Sequence, residues 1–380
     1  MAFSPGSRQA RRDFLFATAG AAALVLAGCQ GPGRIAGPRP PGPINAPVDS
    51  RHLVAVIVPL SGADGPIGTS IVNAANLALV DTGEQSIRLA SYDSAAAGGA
   101  AAAADRALRD GAGLILGPLL AEDVRAAAPL ARRAGVPMLA FSNDEGVAGD
   151  GVFIMGFTPD QSIDRVVRFA HDKGAARFAA LVPTGLYGQR ASQSLLAAVR
   201  RNGGRVTALE SFDRSNPSAK AAAARLKAKG PTDAILIGDN GRIAAAVAAS
   251  LPKGAKLLGT ELWASDKSLG KTPALRGSLY AAAPDARFTQ LVSRYRVRYG
   301  KTPYRLGSLG YDAVLLAARG ARGWPRGRPF PWKTLIDQDG FAGVDGNFRF
   351  GRDGIAERLL EVRQVTATGT IVVAKAGTAF

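Results

Sequence analysis

Cysteine occurs once in 380 residues, histidine twice and methionine three times, and aromatic residues make up only 7% of the chain. With Cys29 as the sole thiol no internal disulfide can form, so packing alone must hold the fold. His52 and His171 stand apart from any second ligand, and no carboxylate pair has metal-ligand spacing, which excludes a zinc-type site. His52 precedes an apolar run and His171 falls in a helical stretch; both read as structural. There is no Gly-x-Ser-x-Gly elbow, no His-Glu-x-x-His pair and no Walker-type phosphate loop. Gly62 to Gly68 follows a strand and precedes a helix, but its spacing and Pro66 do not match a dinucleotide loop. The chain is expected to have no catalytic residue, no metal and no cofactor.

Acidic charge is also scarce: 30 Asp and Glu face 47 Lys and Arg, a net charge of +17. A balance this basic raises nucleic acid as a partner. The amino terminus argues against it. Phe14 to Ala27 is an apolar stretch too short to span a bilayer, preceded by Arg8, Arg11 and Arg12, as in a signal peptide. Leu26-Ala27-Gly28-Cys29 resembles a bacterial lipobox, which implies cleavage after residue 28 and lipidation of Cys29. Arg11-Arg12-Asp13-Phe14-Leu15 resembles a twin-arginine export signal. Gln30 rather than Asp after the cysteine implies sorting to the outer membrane. A periplasmic protein held to a membrane by a lipid anchor meets no nucleic acid. Its basic side chains then read as solvated surface, or as facing anionic envelope material. The densest basic run, Arg319 to Arg328 with Trp324 and Pro325 interleaved, reads as an exposed loop.

Residues 29–50 are rich in Gly and Pro and lack apolar periodicity, as a tether does. Fully extended as polyproline II, it would reach roughly 65 Å. From Leu53 the pattern changes. LVAVIVPL is a β-branched run suited to a strand buried on both faces. Strands at 87–93, 113–118 and 136–142 alternate with helices near 69–81, 99–110 and 120–134. The alternation restarts with strands at 152–157, 178–183, 205–212, 233–239, 256–263 and 279–284, separated by helices at 160–173, 188–201, 217–229 and 241–250. Helices at 285–299 and 306–319 and strands near 359–366 follow. Such βαβ units specify parallel sheets. The reading is an α/β fold over 51–380 with two doubly wound lobes. Lobe 1 spans about 51–150 and lobe 2 about 151–280, each completed from the C-terminal region across three connections that form a hinge beside the interlobe cleft.

VAVIVPLSGADGPIGTSIVNAANLAL (54–79) is similar to the opening of the type I periplasmic binding proteins of the leucine/isoleucine/valine-binding family. ARRAGVPMLAFS, GFTPDQ, LYGQ, FTQLVSRYRVRYGKTP, GYDAVLLAARGA and GFAGVDGNFRFGRDG resemble later segments of that family in the same order. The resemblance implies two lobes, a three-stranded hinge, a ligand cleft and no enzymatic activity.

In open α/β sheets ligands sit beyond the carboxyl ends of the strands, where helix amino ends offer free amides. The residues placed there are Ser61, Leu119, Ser142, Asn143, Asp144 and Tyr187, of which Ser61 and Ser142 to Asp144 read equally as helix caps and turns. Amino-acid-binding members carry Ser and Thr after the third strand, where this chain has Gly117-Pro118-Leu119-Leu120. Tyr187 matches the family's second-lobe aromatic. The acid that holds a ligand ammonium is not evident, and Arg242 lies near its place. Gly117 to Leu120 and Pro137 to Asn143 resemble a branch of the fold that contains lipoprotein activators of penicillin-binding proteins. That resemblance implies a non-catalytic regulator of peptidoglycan synthesis whose partner is a penicillin-binding protein. The alternative is the substrate-binding receptor of an ABC transporter, partnered by an ABC permease and holding an amino acid or related small molecule in the cleft.

Overall fold

The computed structural model describes residues 49–380; Cys29, the leader and the tether up to Val48 lie outside them. Ser50–Phe380 is one compact unit. Its first sheet runs in the order β2-β1-β3-β4-β5, all parallel. The strands are β1 (His52–Val58), β2 (Ile87–Asp93), β3 (Ala112–Leu116), β4 (Met138–Ala140) and β5 (Val152–Ile154). Between them lie α1 (Gly65–Thr82), α2 (Gly99–Arg109) and α3 (Ala121–Arg133).

β1 shows why an unbroken apolar run was needed. Val54, Val56 and Val58 enter the core on one face, and Leu53, Ala55 and Ile57 enter the core on the other. Side chains alternate along a strand, so a sheet covered on both faces leaves no polar position. Each such Val, Leu or Ile contributes roughly 1.5–3 kcal/mol of transfer free energy.

β5 pairs with β4, so the first lobe continues past the expected boundary at residue 150. The chain then crosses to the second lobe at 155–158. There α4 (Pro159–Asp172), β6 (Arg177–Pro183), α5 (Leu186–Arg201), β7 (Arg205–Phe212), α6 (Asn216–Ala228), β8 (Ala234–Ile237), α7 (Gly241–Val247), β9 (Lys256–Gly259) and β10 (Leu279–Ala282) follow in turn. It crosses back at 283–285 into α8 (Ala286–Tyr299) and α9 (Gly307–Ala321), which supply Leu291, Tyr295, Leu309 and Val314 to the first lobe's core. A small antiparallel sheet of β11 (Phe341–Gly343), β12 (Gly346–Phe350) and β13 (Ala356–Arg358) adds Phe341, Phe348 and Phe350 to the same core. A third crossing at 359–360 leads to β14 (Glu361–Thr366) and β15 (Gly369–Ala374). The second sheet therefore reads β15-β14-β10-β9-β8-β6-β7, parallel except for the β14 pairings at one edge.

Three local readings are corrected. Helix α1 begins at Gly65 rather than Thr69, because Pro66 occupies its first turn, where a missing N–H costs nothing. The segment 256–263 is not strand throughout. β9 stops at Gly259, and Glu261–Ser265 forms a 3-10 turn capped by the Thr260 hydroxyl. Trp263 folds back over Gly259 so closely that a β-carbon there would overlap the indole. The antiparallel β11–β13 sheet was not expected.

Candidate ligand-binding cleft

A cavity of about 400 Å³ lies where the carboxyl ends of the two sheets face each other. The first lobe contributes Asp64 and Ile67 at the start of α1, Leu119 and Leu120 before α3, and Phe141 and Asn143 after β4. Glu261, Leu262, Ala264 and Ser265 of the 3-10 turn face them from the second lobe. The crossings close the back with Phe157, Ala282 and Ala283, and Arg305 and Leu306 before α9 complete the wall. The lining is mostly aliphatic and aromatic, with a few polar groups, as in sites for small molecules.

Glu261 is the best-held polar group. Its two carboxylate oxygens accept hydrogen bonds from the Ser162 hydroxyl (2.5 Å) and the Tyr187 hydroxyl (2.9 Å). Tyr187 also lies 3.0 Å from the Thr260 hydroxyl. Removal from water pushes the Glu261 carboxyl up, against the pull of the hydrogen bonds from Ser162 and Tyr187. Burial, and the negative charge of Glu261, push the Tyr187 phenol up as well. No cation pairs with Glu261 among the described residues. Arg305, the one basic group lining the cavity, is already held by Asp285 (2.6 Å) and Asp345 (2.6 Å) and lies 4.1 Å from the Phe288 ring centroid.

Leu119 and Asn143 line the cavity, and Tyr187 reaches it through Glu261. Ser61, Ser142 and Asp144 are not part of the wall. Ser61 is exposed beside the Asp93 carboxylate, which accepts the Leu60 N–H (2.8 Å). Ser142 is buried and its hydroxyl accepts the Asp144 N–H (3.1 Å), a local turn. Asp144 ties the lobes together: its carboxylate pairs with Arg125 on α3 and with Arg190 on α5 (3.1 Å). Burial alone would raise the Asp144 carboxyl, but the Gly146 N–H and the two guanidinium groups outweigh it and hold it low. Arg242 is exposed on α7, outside the cavity wall. Glu261, the acid that the second lobe places in the cavity wall, lies in the segment 256–263 that reads as strand.

The hinge beside the cavity is built from charge. Arg358 is buried, its guanidinium donates to the Met155 carbonyl in the first crossing, and it packs over Phe157 (4.7 Å) and Phe348 (4.9 Å). Asp312 and Asp345 are buried near it. Burial, then the nearby Asp345, push the Asp312 carboxyl up to about 7. Arg363 on β14 donates to Asp285 (2.5 Å) and to the Ala283 carbonyl (2.9 Å) in the second crossing. Arg165 on α4 donates to the Leu360 carbonyl (3.0 Å) in the third crossing, so all three are pinned by arginine.

Among the described residues no group of three or more His, Cys, Asp or Glu could hold a metal, and no helix is long and apolar enough to cross a membrane.

Two doubly wound lobes joined by three crossings around an apolar cavity define a two-lobed binding protein. The chain belongs to the periplasmic binding protein family, whose model matches residues 53–370, and membership implies a periplasmic or envelope location. It is similar in fold to a putative branched-chain amino acid ABC transporter protein from Rhodospirillum rubrum, with a TM-score of 0.75 and 21% identity over 85% of this chain and 100% of that one. A branched-chain amino acid ABC transporter ligand-binding protein from Burkholderia xenovorans superposes with a TM-score of 0.73 and 18% identity, covering 86% and 96% of the two chains. A solute-binding protein of an ABC transporter from Rhodopseudomonas palustris, in complex with 3,4-dihydroxybenzoic acid, gives 0.67 and 21%, covering 87% and 98%. An uncharacterized protein from Rickettsia prowazekii is 27% identical over 140 residues, which span 37% of this chain and 38% of that protein.

Proposed function

We propose that the protein is a non-catalytic solute receptor that delivers a small, largely apolar molecule to an ABC permease. The observation that carries this reading is the interlobe cavity, walled by Ile67, Leu119, Phe141, Phe157 and Leu262 and floored by a hydroxyl-anchored Glu261 with no cation of its own. A carboxylate fixed by two hydroxyls in an apolar enclosure is a receptor for a cationic or hydrogen-bond-donating group. The transporter-associated relatives support the same class of function.

The test is thermal unfolding of Ser50–Phe380, refolded beforehand to strip any carried ligand, against aliphatic amino acids, aromatic acids and aliphatic and aromatic amines. A ligand at 100 times its Kd adds about 2.7 kcal/mol to the folded state. A saturable rise with one compound is expected. For a cationic ligand, affinity should strengthen as pH rises through the elevated Glu261 carboxyl, and Glu261→Gln should weaken binding by about 10-fold to 100-fold while removing that pH dependence. The absence of any shift across the panel would sink the receptor reading.

The second reading, activation of a penicillin-binding protein by a lipid-anchored module, is favoured by Gly117-Pro118-Leu119-Leu120, which presents leucines where amino-acid receptors present hydroxyls. It predicts that blocking the cavity with Leu119→Arg leaves function intact and that a pull-down retrieves a peptidoglycan synthase. Lipidation at Cys29 and sorting to the outer membrane belong to the same proposal, and mass spectrometry of the mature amino terminus tests both that modification and the cleavage after residue 28.

A further inference from the structure

The end of the first lobe opposite the cavity carries a second surface. A loop over residues 322–333 crosses the amino ends of β1 and β3. Trp324 stacks on His52 with ring centroids 4.2 Å apart and planes 5° from parallel. Its indole N–H donates to the Arg328 carbonyl (2.7 Å), and the Phe330 N–H donates to the Gly113 carbonyl (2.8 Å). So pinned, the loop turns Arg322, Arg326, Arg328 and Lys333 to solvent. None of the four has an ion-pair partner among the described residues, and no Asp or Glu occurs from residue 313 to residue 336. Acids flank the patch rather than interrupt it: Glu84 lies beside Arg322, Asp337 follows Ile336, and Asp150 and Asp353 share a groove with Trp332 and Ile336. Arg133, at the end of α3, is exposed on the same side, where Gly135 meets Pro329. Trp332 and Ile336 are 42% and 39% exposed among these charges, and the inner face of Trp332 rests 6.1 Å from Phe153. The described chain also starts at this end, at Asp49, immediately before β1.

We propose that this face docks on an anionic lipid bilayer. Basic side chains supply attraction to the headgroups, and an exposed Trp beside an aliphatic side chain is the composition that partitions into the headgroup layer. The ring stack and the hydrogen bonds tie the loop's backbone to the sheet, which lowers the cost of ordering it on binding. Docking this way leaves the mouth of the cavity, at the carboxyl ends of the strands, turned away from the membrane.

The experiment uses Ser50–Phe380, which holds every hydrophobic core of the described chain and so needs no leader to fold. It is sedimented with phosphatidylcholine vesicles, alone or mixed with phosphatidylglycerol, over a range of salt. Binding is expected only to the mixed vesicles, weakening with salt. Trp332 should shift its emission to the blue on binding, a signal assignable to it because Trp263 and Trp324 are already buried. Replacing the three loop arginines together (Arg322→Gln, Arg326→Gln, Arg328→Gln) should lower affinity on the order of 100-fold while leaving the unfolding midpoint in place. Equal binding to both vesicle types, binding unchanged in the triple variant, or binding confined to isolated peptidoglycan would each overturn the proposal.

Discussion

Arg358→Met is expected to lower the stability of the folded unit by about 1–3 kcal/mol, the cost of leaving the buried Met155 carbonyl unpaired and of removing a positive charge near Asp312 and Asp345. Methionine fills much of the same volume against Phe157 and Phe348, so the loss reports charge rather than a cavity. The sign of the pH dependence follows from Asp312. Its carboxyl titrates near 7 in the folded protein, against an ordinary carboxylate value in the unfolded chain. Below the unfolded value both states are protonated and the group contributes nothing. As pH rises towards 7, the unfolded chain gives up the proton while the folded state keeps it, and stability falls. The Asp312 contribution to wild-type stability should therefore fall between about pH 4 and 7, and in Arg358→Met the fall should continue above pH 7, because the carboxyl is deprived of a favourable charge and keeps its proton longer. Adding Asp312→Asn should restore part of the loss, most of it above pH 7. Urea unfolding of the three proteins at a series of pH values is the measurement, and parallel pH curves for wild type and Arg358→Met would refute the charge argument.

Gly188→Ala should cost about 3 kcal/mol, although alanine is the better helix former by about 1 kcal/mol. The residue lies in the first turn of α5, and a β-carbon there would overlap the Pro183 carbonyl at the end of β6. That oxygen belongs to the backbone of a central strand, so the helix must shift instead. Tyr187 moves with it, and the Glu261 carboxylate loses a hydrogen-bond donor. The variant should show a lower unfolding midpoint together with weakened ligand binding. A stability equal to wild type, with α5 unmoved, would contradict the reading that this close approach sets the position of the second-lobe wall.

Much of the architecture was legible because its strands are buried on both faces and so appear as unbroken apolar runs, as in residues 53–58, 178–183 and 234–237. β11–β13 escaped because Gly340, Gly343, Gly346 and Gly351 interrupt segments that are too short for alternation to register. The rule that cavities open at the carboxyl ends of strands points to Leu119 and Asn143, which line this one, and to Tyr187, which bonds Glu261, but equally to Ser61, Ser142 and Asp144, which lie outside its wall. Glu261 could not be placed so long as 256–263 read as one strand; the local signal was Thr260, a capping residue that starts a turn. Asp144 reads as a candidate ligand contact, but it lies outside the cavity wall and pairs instead with Arg125 and Arg190 on two helices. No local pattern specifies a bond of that kind.

The three crossings also set when the molecule can be complete. The first lobe lacks part of its core until α8, α9 and β11–β13 have been made. β10 at the second lobe stays an open edge until β14 arrives from residues 361–366. A growing chain therefore finishes neither half early, and the contacts that close both halves are long-range ones, which form slowly. Until the last fifty residues emerge, the polypeptide remains an incompletely folded chain with one sheet edge open to pairing with a neighbour.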